Sequence, residues 1–121
     1  PESFIGQVFK TIGKYIPPAP GVKSPALWGT TERIKELFGK AASEIHVTRR
    51  HFNFRYRSAA HWIEVFRTYD GPRNKTYAAL DAGKQDAFTR DLLALIQKDN
   101  RSGDGTMVLP SEYLEIVITR K

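Results

Sequence analysis

Glu44-Ile45-His46-Val47-Thr48-Arg49-Arg50-His51-Phe52-Asn53-Phe54-Arg55-Tyr56 is the stretch whose reading decides the fold. β-Branched and aromatic residues alternate here with polar ones, which is the two-residue period of a strand. Ile45 and Val47 stand at odd positions, whereas Phe52, Phe54 and Tyr56 stand at even ones. A strand moves its apolar set to the other face of a sheet only by adding a residue. The switch of parity therefore predicts a β-bulge near 49–51, or a short loop that breaks the strand there.

Upstream of this strand, Phe4, Ile5, Val8, Phe9, Ile12, Tyr15 and Ile16 recur at helical spacing behind a capping Ser3, and Pro17-Pro18 stop the helix. The connector 17–29 (PPAPGVKSPALWG) is irregular but carries Val22, Leu27 and Trp28, so it reads as packed on the surface. Thr30 or Thr31 caps a short helix with Ile34, Leu37 and Phe38 on one face, and Gly39 is placed to end it in the left-handed conformation.

Downstream, Ser58 caps a helix through Trp62, Ile63, Phe66 and Tyr69 that Gly71-Pro72 interrupts. A shorter helical piece covers 73–80. Asp81 caps a long helix with the stripe Phe88, Leu92, Leu95 and Ile96. The polar turn 100–106 (NRSGDGT) leads into 107–109, then Pro110, then a strand over 113–119. The order defines an α+β class, with several amphipathic helices packed on a small antiparallel sheet of two long strands. One two-stranded ribbon is marginal by itself. The unpaired edge and spare apolar helix faces predict that the isolated chain is a homodimer.

The chain has 121 residues, the length of one domain, and no internal repeat. It is 40% hydrophobic with seven Phe, five Tyr and two Trp, enough for a packed interior. No cysteine is present, which excludes disulfides, thiolate metal sites and a cysteine nucleophile, and suits a cytoplasmic location. No apolar run approaches the roughly 18 residues of a membrane span. Pro1 opens the chain and Met107 is its single methionine, which reads as a piece excised from a longer protein. The surplus of 19 Lys and Arg over 13 Asp and Glu gives a net charge of +6, spread along the chain as on an ordinary solvated surface.

Few residues suggest chemistry directly. The spacing of His46, His51 and His61 has no metal-binding signature, so no metal is expected. His51, beside the expected bulge, could act as a general base, against the plainer reading of a solvent-facing histidine. Trp28, Tyr56 and Tyr69 could line an apolar pocket with polar tips, while Trp62 and Phe66 fit simple core packing. Glu112 and Tyr113 could face such a site from the last strand, or belong to a solvated edge. The basic-aromatic run 49–57 could track a phosphate backbone, but strand alternation accounts for it without nucleic acid.

The segments PESFIGQVFKTIGKYIPPAPGVKSPALWGT, HFNFRYRSAAHWIEVFRTYDGP and SGDGTMVLPSEYLEIVITRK together resemble the C-terminal third of class I S-adenosylmethionine-dependent methyltransferases of the ubiquinone/menaquinone-biosynthesis-like type. The resemblance covers nearly the whole chain in order. It implies that 3–16 follows the fifth strand of a seven-stranded sheet, that 44–56 and 113–119 are its sixth and antiparallel seventh strands, and that the helices over 62–96 shape the pocket of a small-molecule acceptor. It implies S-adenosylmethionine as cofactor of the intact enzyme. The family's glycine-rich turn between a strand and a helix is missing here, since Gly103-Asp104-Gly105 stands between a helix and a strand. The expectation is a substrate-side segment that binds no cofactor and is not catalytic alone.

Overall fold

The computed structural model describes residues 1–121. Helix α1 (Phe4–Tyr15) starts at Ser3, whose hydroxyl accepts from the backbone N–H of Gly6, one of the donors a helix start leaves unpaired. A 3₁₀ turn over Pro25–Gly29 and the short helix α2 (Thr31–Phe38) follow, the latter capped by Thr30. Strand β1 (Ala42–Tyr56) then leads into α3 (Ala59–Tyr69), α4 (Gly71–Ala79) and α5 (Ala82–Asp99), each capped by a side chain at its start: Ser58, Asp70 and Asp81. Strand β2 (Met107–Arg120) ends the chain and pairs antiparallel with β1 in a two-stranded sheet.

The core lies where α1, α3, α4 and α5 meet one half of this ribbon. Trp62, Phe88, Met107 and Leu109 are wholly enclosed there, together with Phe4, Val8, Leu92 and Ile96. Full burial of one such aliphatic or aromatic side chain stabilises by about 1.5–3 kcal/mol. Aromatic rings order the cluster: Trp62 stacks on Phe66 at 4.4 Å, and Phe4 meets Trp62 at 5.2 Å. Polar bonds join the helices around it. The Tyr15 hydroxyl donates to Asp91 at 2.9 Å, and the Gln85 amide donates to the carbonyls of Tyr77 and Leu80, fixing the turn from α4 into α5.

The bulge expected near 49–51 is absent. The register runs without a break from Glu44 opposite Thr119 to Tyr56 opposite Met107, and its one irregularity lies between Ala42 and Glu44. The parity switch has a different cause: the ribbon is longer than the helical layer. Near its root the even side chains Phe54 and Tyr56 turn to the helices, beside Leu109 and Met107. Near its tip Ile45 and Val47 lie on the opposite face, across from Ile118 and Ile116, and α2 packs against β1. Two faces are apolar over two different lengths, so no inserted residue is needed.

Two further expectations change. Gly39 has φ −54° and is right-handed, since the chain after α2 turns directly into β1 and calls for no left-handed residue. Pro110 does not divide the last strand, because β2 is continuous through it. The neighbouring Val108 shows why. Its N–H donates to Asn100 Oδ1 and its carbonyl accepts from Arg101 N, both at 2.9 Å, so both groups point away from β1. Alternation directs the N of Pro110 the same way, and its missing N–H costs the β1–β2 ladder nothing.

Candidate functional site

A concavity of about 780 Å³ opens between the start of α1, the Pro25–Gly29 turn and the middle of the ribbon. Local sequence builds each wall. The Ser24 hydroxyl accepts from Ala26 N, and Pro25 supplies a preset φ for the turn that carries Trp28. Trp28 stands 6.1 Å from Phe38 of α2 and is 54% exposed. From the ribbon come Phe52 and Phe54, packed edge-on at 5.0 Å, with Tyr113 from β2. Ile5 N–H donates to Ser111 Oγ at 3.4 Å and ties α1 to β2 at the floor. Gly6 lets the first residues fold over the helix, because a Cβ there would collide with the Pro1 carbonyl.

The groove is aromatic inside and acidic at its margin. Glu2, Glu32 and Glu112 line it, against the one guanidinium of Arg49. Arg49 is held by Glu112 at 2.6 Å, and a hydrogen bond from Lys10 keeps the Glu2 carboxyl below its ordinary range. This lining suits a ligand with an apolar or planar body and a hydrogen-bond donor or positive charge.

Of the four residues singled out for an acceptor pocket, only Trp28 lines this groove, joined there by Glu112 and Tyr113, for which the sequence left both a site and a solvated edge open. His51 sits on β1 opposite Glu112, with its Nε2 3.9 Å from that carboxylate, and is exposed. Tyr56 lies over α3, 5.6 Å from the His61 ring and 6.2 Å from Phe66, in a separate shallow depression shared with Arg55 and Arg57. Tyr69, the last residue of α3, is 84% exposed. The four are not brought together. Sequence reasoning passed over Phe52 and Phe54 as site residues because alternation alone marks them as core. Phe52 is in fact 56% exposed, since it stands where the ribbon leaves the helical layer.

The basic-aromatic run does not present a row of free cations. Arg49 is paired with Glu112, and Arg50 donates to both oxygens of Glu115 at 3.0 and 3.1 Å, from the opposite face. His46 meets Glu44 at 2.8 Å, and nowhere do three His, Cys, Asp or Glu side chains converge as a metal site would need. No helix is long and apolar enough to cross a membrane.

Two polar clusters are structural. In the 100–106 turn, Asp104 accepts from Ser102 Oγ and from the N–H and hydroxyl of Thr106, which lowers its pKa from 3.8 to about 2. Gly105 takes the left-handed φ of 85° that this turn requires. Arg73 is 3% exposed, paired with Asp70 at 2.5 Å, and lies 4.7 Å over the Phe66 ring. Burial draws its pKa below the guanidinium range, against the pull of Asp70. Its Nε and Nη2 have no hydrogen-bond partner in the protein, and ring faces supply its surroundings instead.

A nucleotide-like cofactor such as S-adenosylmethionine requires close backbone approach at a glycine turn leading from a strand into a helix. The single strand-to-helix junction here, Tyr56-Arg57-Ser58-Ala59, contains no glycine. The residues present do not fit that cofactor. In comparisons with known proteins, no family model and no curated protein matches the chain.

Proposed function

We propose that this chain is the acceptor-side, C-terminal segment of a class I S-adenosylmethionine-dependent methyltransferase, whose cofactor is held by a part of the protein outside these residues. The order of elements carries the reading: a helix, a surface insertion, a long strand, three helices, then a second long strand antiparallel to the first. That is the order the sequence resemblance implies. The open groove beside the sheet, walled by Trp28, Phe52 and Tyr113, fits one side of an acceptor pocket, although the helices over 62–96, to which the resemblance gives that pocket, do not line it. Methyl transfer depends largely on holding donor and acceptor in line, so a segment that only shapes and dries the acceptor side is chemically sufficient as a contribution.

Calorimetry with S-adenosylmethionine tests the proposal, on the 121-residue chain and on the chain extended upstream in its gene. Binding by the extended protein alone is the expected result. Tight binding by the short chain, or none by either, overturns it. In the extended protein, Trp28→Ala is expected to raise KM for the acceptor at least about tenfold, equivalent to about 1.4 kcal/mol, while leaving cofactor affinity unchanged.

A further inference from the structure

The basic-aromatic run 49–57 holds four arginines, and they divide by what they meet. Arg49 and Arg50 are neutralised across the ladder by Glu112 and Glu115. Arg55 and Arg57, at the end of β1, pair with no carboxylate anywhere in the chain, and both are exposed. They meet in a depression of about 590 Å³ that Tyr56 and His61 share with the start of β2, and no acidic residue lines it. Arg57 Nη2 donates to His61 Nε2 at 3.2 Å, which positions that guanidinium and leaves its other N–H groups without a protein acceptor. Thr106 on the rim bonds Asp104, but that carboxylate is engaged by Thr106 and Ser102. The strand edge beside the depression is closed by the chain itself. The outward N–H and C=O of Val108 are taken by Asn100 Oδ1 and Arg101 N, both at 2.9 Å. Any strand added to β2 has to join beyond Val108, away from Arg55 and Arg57.

We infer that Arg55 and Arg57 form a binding site for one oxyanion, the phosphate or carboxylate group of a small molecule, with Tyr56 on its wall. Two guanidiniums present planar forks of N–H donors, and both kinds of group offer paired oxygens on one centre, so charge-assisted bidentate bonds suit either. The site takes a single group. A nucleic-acid backbone repeats its charge along the strand, whereas the next cations up the ribbon, Arg50 and Arg49, are neutralised by glutamates. The Trp28 groove does not compete for such a ligand, because Glu2, Glu32 and Glu112 at its margin repel an anion. The inference goes beyond the methyltransferase reading and stands without it, because its test reads neither cofactor nor methyl transfer.

The 121-residue chain is titrated with inorganic phosphate and with benzoate while backbone amide NMR shifts are followed. Saturable one-to-one binding of at least one of them is expected, with a Kd near or below about 1 mM and the largest shifts over 55–61. Phosphate alone would assign a phosphate ester, and benzoate alone a carboxylate; either supports the site. Arg55→Gln and Arg57→Gln are each expected to weaken binding at least about fivefold, and Arg50→Gln, whose guanidinium Glu115 holds, less than about twofold. All three side chains are exposed, so the variants are expected to keep native circular dichroism. No saturable shift with either anion, or an equal loss in Arg50→Gln, overturns the inference. Tight binding of a short single-stranded oligonucleotide with a log–log salt slope steeper than about −2 also overturns it, since that takes more cations than the depression holds.

Discussion

The root and the tip of the ribbon share two strands, one ladder and an unbroken register, yet they differ in what covers them. At the root, Met107 and Leu109 are fully enclosed against α1, α3 and α5. At the tip, Val117 is 56% and Ile118 37% exposed, although both are as apolar and as well placed in the ladder. Backbone pairing therefore fixes which residues stand opposite one another, and it leaves burial undecided. Burial depends on the helices, and these reach only about half the length of the strands.

The largest test of this contrast removes the centre of the root. Trp62 is wholly buried between Phe4, Phe54 and Phe66. Trp62→Ala is expected to destabilise by about 3–5 kcal/mol, a large part of the stability of a domain this size, read as a lowered urea midpoint. A loss under about 1 kcal/mol would show that the root is not packed as described.

A paired comparison sharpens the point. Leu109→Ala at the root is expected to cost about 2–5 kcal/mol, and Ile118→Ala at the tip less than about 1 kcal/mol when measured at concentrations where the chain is monomeric. Equal losses would mean that the tip is as well covered as the root. A concentration-dependent loss at Ile118 alone would place the cover on a second copy.

The smallest effect is expected at the turn that feeds β2 into the root. The pKa of Asp104 falls from 3.8 to about 2 in the folded chain, because the ionised carboxylate accepts three hydrogen bonds. The stabilisation is present above the unfolded value and is lost as pH falls through the folded one. Asp104→Asn is expected to lower the melting temperature at pH 7 and to narrow its gap from the parent protein between pH 4 and 2. A constant gap over that range would remove the turn from the account.

Much of the helical part was legible beforehand. The caps at Ser3, Ser58 and Asp81 and the stripes through Val8, Trp62 and Phe88 are local signals, set by side chains one to four residues apart. The antiparallel pairing of two long strands was legible too. The site was less so. Trp28 was found because an exposed aromatic in an irregular connector has few structural uses. His51, Tyr56 and Tyr69 were singled out by residue type, and the fold sends them to three different surfaces. Glu112 and Tyr113 were left open between a site and a solvated edge, and Phe52 became a groove residue only through where the helical layer stops.

The sequence alone determined the helices and the two long strands, because capping, periodicity and alternation act over short range, but it did not fix the register, for which it predicted a bulge that is absent. The tertiary structure decided which face of each strand is covered. A switch from odd to even apolar positions is compatible with a bulge and with a ribbon that outruns its helices, and the local pattern is the same for both. Only the length of the helices against the length of the strands separates them, and that is a property of the packed molecule.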